Sequence, residues 1–291
     1  MLHIALLGGI SFSADGEIIR SDLGSAGRLL ACYLFEFAGR KHRRERLADL
    51  FWSDIEPEKA RSALNTAIWR VRKILELGAK GSARHLVTIG EEVILEKSRL
   101  VQIDTHTLES ACRRVLAHQL QSGATLADAD VQEISAAIDG YAGPFLDGCD
   151  GEWILQERER LHCLFVRSTF ALMRAAAVQE RYEDALDYGR RILSLDPLRE
   201  SVQRNVMLLL VLNGQRGEAI RAYERLVTLL RAELDIEPMP ETKRLNQEIR
   251  SGELFCELRD HIQAQFGVPN EPSRLHEQDD RKRAHLRLQI P

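Results

Sequence analysis

The pattern of apolar and polar positions changes period several times in the first hundred residues. Leu2 to Leu7 is a short apolar run, Ile10 to Ala14 alternates, and Asp15-Gly16 ahead of Glu17-Ile18-Ile19 is a strong hairpin signal. These features predict a small antiparallel sheet. From Ser25, which can cap a helix, to about Ala38, the residues Leu29, Leu30, Tyr33, Leu34 and Phe37 recur at spacings of three and four, and Gly39 follows. A second helix is predicted over about Arg43 to Trp52. A third begins near Glu58, with Ala60, Leu64, Ala67, Ile68, Val71 and Leu75 as its apolar stripe and Gly78 at its end. Leu86 to Ile89 and Val93 to Leu95, separated by Gly90-Glu91-Glu92, predict a second hairpin.

Sheet, three helices and hairpin is the order of a winged helix, the helix-turn-helix variant whose third helix can enter a major groove. Beyond Asp104 the strand signals stop and amphipathic helices run to about Arg250, starting near Thr105, Asp128 and Glu152. An offset of 34 residues pairs Met173 with Met207, Ala185 with Ala219, Leu186 with Ile220 and Ile192 with Leu226. That is the period of tetratricopeptide repeats. The expected turns are Arg181-Tyr182 and Gln215-Arg216-Gly217, with Pro197 and Pro238 near the ends of the second helices.

The expected fold class is therefore an α+β winged-helix domain, residues 1–104, followed by an all-α domain with tetratricopeptide-like repeats, residues 105–256. Residues 257–291, polar and carrying Pro269 and Pro272, read as a flexible tail. Residues 1–104 are expected to fold alone.

Composition narrows the function by exclusion. The longest apolar run noted, Val206 to Leu212, is far short of the roughly 18 residues that a membrane span needs. No basic region precedes the apolar N-terminus, so a soluble cytoplasmic protein is expected. Five scattered cysteines, none in a C-x-x-C pair, give no disulfide framework or zinc site and read as small core residues. No H-E-x-x-H, G-x-S-x-G, phosphate-binding loop or G-x-G-x-x-G occurs, so neither catalysis, cofactor nor metal is expected.

Charge points to one end of the chain. The net charge is −4, yet the first 99 residues hold 16 Lys+Arg against 13 Asp+Glu and the remainder holds 24 against 31. A polyanion partner is thus to be sought in the first third. With the apolar stripe of the third helix turned inward, Ser62, Thr66, Trp69, Arg70 and Lys73 face outward, with Arg61, Asn65 and Arg72 on the flanks. Arg70 can make a bidentate bond to guanine and Asn65 can pair with adenine, while Arg61, Arg72 and Lys73 suit phosphates. Arg43 and Arg44 open the second helix, whose N-terminus attracts phosphate. A merely solvated charged face is the alternative, against which Trp69 weighs, since a large aromatic opposite the core marks a contact surface.

The runs Ile4-Ala5-Leu6-Leu7-Gly8, Arg46-Leu47-Ala48-Asp49-Leu50-Phe51-Trp52, Ala60-Arg61-Ser62-Ala63-Leu64-Asn65 and Val71-Arg72-Lys73-Ile74-Leu75 resemble those of the SARP family of bacterial transcription activators. So do Tyr141-Ala142-Gly143-Pro144-Phe145-Leu146 and Leu234-Asp235-Ile236-Glu237-Pro238. The resemblance covers about residues 2 to 250. It implies an OmpR-type winged helix fused to a bacterial transcriptional activator domain of tetratricopeptide type, double-stranded promoter DNA and RNA polymerase as partners, and self-association on direct repeats. Asp54 and Glu56 occupy the loop that can touch polymerase in OmpR-type relatives, though an ordinary connector is equally compatible. The hairpin tip, Gly90-Glu91-Glu92, lacks the usual basic residue and is expected to stay out of the minor groove. A tetratricopeptide adaptor that does not read DNA, and an effector or protein bound by the repeats, are the competing readings.

Overall fold

The computed structural model describes residues 1–20, 22–78, 85–120 and 128–252. Two compact units divide at Leu172/Met173. The expected boundary at residue 104 lies inside the first of these units, at the change from strand to helix. The expected tail lies outside the described residues.

The first unit opens with β1 (Leu2–Ala5), β2 (Ser11–Ala14) and β3 (Glu17–Ile18), then α1 (Gly24–Glu36), β4 (Lys41–Arg43), α2 (Arg44–Trp52) and α3 (Pro57–Gly78). It continues with β5 (Leu86–Ile89), β6 (Glu92–Leu95), β7 (Val101–Ile103), α4 (Asp104–Leu120), α5 (Asp128–Asp139) and the start of α6 (Glu152–Val178). Asp15 and Gly16 both take positive φ, 49° and 89°, and Ala14 pairs with Glu17, which is the two-residue hairpin expected there. The sheet is not wholly antiparallel. Its strand order is β3-β2-β1-β7, with β7 parallel to β1. The second hairpin is joined by β4 into a three-stranded sheet of order β4-β6-β5.

Ser25 does not cap α1. Leu23 holds the N-cap position without a side-chain bond, and the helix ends at Glu36 rather than Ala38. Pro57 opens α3, where its missing N–H costs nothing, and the Glu56 carbonyl accepts from Ala60 at 2.9 Å. The expected apolar stripe is buried throughout, with Leu64, Val71 and Leu75 at 1%, 0% and 0% exposure.

Helices α4 to α6 complete the core of this unit rather than forming one of their own. Beyond β1, the amides of Leu6 and Leu7 donate to the Asp104 carboxylate at 2.8 and 2.9 Å. Leu146 N–H donates to the Leu6 carbonyl at 2.8 Å, and Gly8 N–H to the Pro144 carbonyl at 2.9 Å. A Cβ on Gly8, at φ +78°, would stand 3.0 Å from the Ala142 backbone, and one on Gly143 would stand 3.0 Å from Gly8 Cα. The two distant sequence runs around Gly8 and Gly143 are thus halves of one close contact. Arg158 fixes the second run by donating to the carbonyls of Phe145, Leu146 and Cys149, each at 3.0 Å.

Helix α6 is both long and largely apolar. An eighteen-residue window of it has mean hydropathy 1.3, enough in length and composition for a membrane span, although Arg167 and Arg174 interrupt it and leave no uncharged run of that length. More than half of that window, 56%, is buried inside the protein, which marks a core helix. Cys32 and Cys112 are buried as expected, and burial pushes the Cys32 thiol up to about 12. Cys163, by contrast, is exposed on α6, and Cys256 lies outside the described residues.

The second unit contains the end of α6, then α7 (Tyr182–Leu195), α8 (Glu200–Leu212), α9 (Arg216–Leu234) and α10 (Pro240–Ser251). The 34-residue period is present down to single backbone bonds. Arg181 N–H donates to the Ala176 carbonyl and Gln215 N–H to the Leu210 carbonyl, at 2.9 and 2.7 Å. The left-handed position of each turn falls at Glu180 and Gly214, φ 60° and 74°. Met173 and Met207 are both fully buried, as are Ala185 and Ala219. The Leu234 to Pro238 run is a helix stop, with Asp235 left-handed at φ 54° as the C-cap of α9 and Glu237 paired to Arg231 at 2.6 Å. The buried Glu200 carboxylate accepts from Met239 N–H and Thr242 Oγ1, which holds the start of α10.

Gly189 sets the approach of α7 to α8. A Cβ there would lie 2.5 Å from Val206 Cγ2 and 3.2 Å from Met173 Sδ. Val206 is β-branched and stiff, so the overlap cannot be relieved by a rotamer change alone. Gly189→Ala is expected to lower stability by about 1–3 kcal/mol despite its better helix propensity. Urea denaturation of the full chain measures this, and an unchanged midpoint would show that the two helices can separate at little cost.

Candidate nucleic-acid interface

The 22 residues of α3 carry the proposed reading face, and the buried stripe leaves Arg61, Ser62, Asn65, Thr66, Trp69 and Lys73 exposed, with Arg70 and Arg72 half-buried. Trp69 is 57% exposed, and the Lys73 ammonium lies 5.5 Å from its ring centroid. Lys73 also pairs with Glu76 at 3.2 Å, and Arg70 approaches Asp22 at 3.8 Å. Both pairs are solvent-exposed and contribute little, so either cation is readily redirected. Thr66 is exposed, its hydroxyl donating back to the Ser62 carbonyl one turn earlier at 3.1 Å.

Two of the named residues meet across elements. Arg44, at the start of α2, donates through Nη2 to Asn65 Oδ1 on α3. Arg72 does not stand on the outward face with the others. It donates from Nε to the Leu86 carbonyl at 3.2 Å and from Nη2 to Thr88 Oγ1 at 2.9 Å, which ties the hairpin to α3. Arg43 is exposed in β4 opposite Glu92, and at the hairpin tip Glu91 is exposed while Glu92 pairs with Lys41 at 3.3 Å. Asp54 and Glu56 are exposed in the loop between α2 and α3.

The face extends further than the sequence reading placed it. Ser62, Thr66 and Arg70 line a groove shared with Lys59, Trp52 and the first turn of α1 at Gly24, Ser25 and Ala26. Lys59 lies one turn ahead of Ser62, so helical periodicity could have found it. The α1 amides become visible only once the chain is folded. That first turn has no side-chain cap, which leaves its amides available to an anion.

Behind this face, α1, α2 and α6 meet in an aromatic cluster. Tyr33 has ring contacts with Phe37, His42, Phe51 and Trp153, the Tyr33–Trp153 centroids 5.0 Å apart and nearly perpendicular. Burial drives the His42 pKa below its usual value, against a smaller opposing effect of a hydrogen bond to the Phe37 backbone, and Nε2 is buried without a partner. The unfolded chain therefore takes up this proton before the folded one does. The stability that neutral His42 contributes is complete above about pH 6.5 and falls as pH drops through the lower folded value. His42→Gln is expected to flatten that part of the stability profile. Parallel melts from pH 7.5 to 5 test it, and an unchanged slope would assign the acid sensitivity to other groups.

Three helices set among two small sheets, with a basic outward face on the third helix, followed by further helices that repeat every 34 residues, are the architecture of a winged-helix regulator with a helical domain. The bacterial transcriptional activator domain matches residues 103–250, and the chain belongs to that family, as the resemblance to SARP activators implied. It is 27% identical over 250 residues to the regulatory protein AfsR of Streptomyces coelicolor, covering 85% of this chain and 24% of AfsR. With the transcriptional regulatory protein MoaR1 of Mycobacterium tuberculosis it shares 23% over 219 residues, covering 70% of this chain and 65% of that one. The chain thus spans about a quarter of AfsR and about two thirds of MoaR1. A solved structure of Mycobacterium tuberculosis EmbR in complex with a low-affinity phosphopeptide superposes with a TM-score of 0.65 at 19% identity, covering 91% of this chain and 69% of that one. This last likeness concerns the fold.

Proposed function

We propose that this chain is a sequence-specific DNA-binding transcription activator that acts in the cytoplasm and is not an enzyme. Its first part is an OmpR-type winged helix and its later helices are tetratricopeptide-like. The observation that carries the reading is the α3 face, where Arg61, Asn65, Trp69, Arg70 and Lys73 stand clear of the core beside the uncapped start of α1. Arg70 and Asn65 are the base readers. Lys73, Arg61, Arg43 and Arg44 hold phosphates, and Ser62 and Thr66 line the groove between them. Arg72 acts by holding the hairpin against α3.

Family membership and the named transcriptional regulators support the same reading. Asp54 and Glu56, exposed and next to the reading helix, suit a contact with RNA polymerase. One module buries only about 600–1,000 Å² on DNA, so two copies on a direct repeat are expected to act together. A titration of DNA binding against salt tests the proposal. The logarithm of the binding constant should fall linearly with log salt, by about 0.9 for each phosphate neutralised. Absence of DNA affinity at low salt would instead favour a protein adaptor built on the 34-residue repeats.

A further inference from the structure

A second charged site lies in the first unit and shares no lining residue with the groove beside α3. It is a cleft of about 570 Å³ between the turn after α1, the chain beyond β6, and helices α4 and α6. That size suits a small organic ligand. Its carboxylates are already engaged. Arg160 donates to Glu157, Glu109 and Glu36 at 2.6, 2.8 and 3.2 Å, and Arg113 donates to Glu109 at 3.0 Å. Thr105 Oγ1 donates to the other Glu36 oxygen at 2.5 Å. Glu36 is buried, and that burial pushes its carboxyl up toward the neutral form, so it offsets less positive charge than its formal count suggests.

Two further cations line the cleft from the winged-helix side. The Arg40 guanidinium rests 4.9 Å from the Phe37 ring centroid, and the Lys97 methylenes run over Gly39. Neither has a carboxylate partner among the described residues. Arg113, in an exposed pair with Glu109, and Arg114, paired with Glu133, also line the cleft, so its lining carries five cations against three carboxylates. Such an arrangement matches an anion bearing several oxygens, because guanidinium and ammonium groups can bond different oxygens at once.

We propose that this cleft binds a small phosphorylated metabolite of at least two negative charges, held by Arg40 and Lys97 on one side and Arg113 on the other. Bound there, the ligand ties the winged-helix part to α4 and so joins the reading domain to the helices behind it. The proposal does not rest on the DNA reading and can fail or hold separately from it.

Calorimetric titration of the full chain with pyrophosphate, ADP and ribose 5-phosphate, at matched ionic strength with sulfate as control, tests the site. Saturable binding and a ligand-dependent rise in melting temperature are expected, since a ligand of the folded state stabilises it. Lys97→Met removes an exposed, unpaired cation and should weaken binding at least tenfold, with Arg113→Gln acting in the same direction. Arg43→Ala with Arg44→Ala, on the DNA side, should leave it unchanged. Tighter binding of ADP or of ribose 5-phosphate than of pyrophosphate identifies a nucleotide or a sugar phosphate as the source, and either result supports the site. No saturable binding, equal response to sulfate, or affinity that survives Lys97→Met but falls with the Arg43 and Arg44 changes would overturn it.

Discussion

A fragment ending at Asp104 is expected to lose cooperative folding at neutral pH, whereas one ending at Leu172 is expected to melt as a unit. The shorter piece contains every element of a winged helix, yet it lacks the partners on which those elements rest. Truncation removes the Pro144 carbonyl that receives Gly8 N–H and the Leu146 amide that donates to Leu6. It also removes the bridge between Leu7 and Phe145 and the Trp153 ring against Tyr33, Phe37 and Phe51. Glu36 loses Thr105 and Arg160 together. Re-exposing a buried apolar side chain costs about 1.5–3 kcal/mol, so uncovering Leu6 and Leu7, together with the half-buried Phe37, approaches the lower end of the 5–15 kcal/mol that typically holds a domain folded. Circular dichroism melts of the two fragments decide the matter. A sharp two-state transition in residues 1–104 would show that the sheet and three helices suffice. Gly8→Ala in the full chain probes the same contact, because it sets both a left-handed backbone and a 3.0 Å approach against a side chain.

Arg70→Ala is expected to cost about 1–3 kcal/mol of specific DNA binding and to relax the preference at one base position, as loss of a bidentate contact does. Lys73→Ala should weaken all sequences alike and shallow the salt dependence by about one phosphate. The free protein supplies a control. Arg70 is met by Asp22 at 3.8 Å, with the Asp22 side chain 97% exposed, so the pair holds the arginine only weakly. Asp22→Asn should therefore leave specificity unaltered and tighten binding slightly. Competition between operator and random DNA measures each effect. If Arg70→Ala discriminates as the parent chain does, α3 is not the reading helix.

Much of this architecture was legible because its signals are local. The apolar stripe of α3, the Asp15-Gly16 turn and the hairpin around Gly90 each depend on residues within a few positions of one another. The 34-residue period was equally readable, since equivalent positions such as Met173 and Met207 do equivalent work. The outward residues of the candidate site followed from the same helical period. Lys59 falls on that same period.

What stayed hidden depends on contacts between distant parts of the chain. Lys41–Arg43 and Val101–Ile103 are three-residue strands with no pattern of their own, and they become strands because β6 and β1 offer free edges. Arg72 has the sequence position of a phosphate ligand, but Leu86 and Thr88 fold against it and claim its donors. Ser25 has the chemistry of a cap, yet the helix begins one residue earlier. The boundary at residue 104 marks a real change of local structure from strand to helix. Sequence by itself therefore determined the kinds of element, their order and the face of α3 turned away from the core. Only the tertiary structure decided which elements share a core, because burial depends on what closes over each apolar face, and for the winged helix those residues lie more than a hundred positions further along the chain.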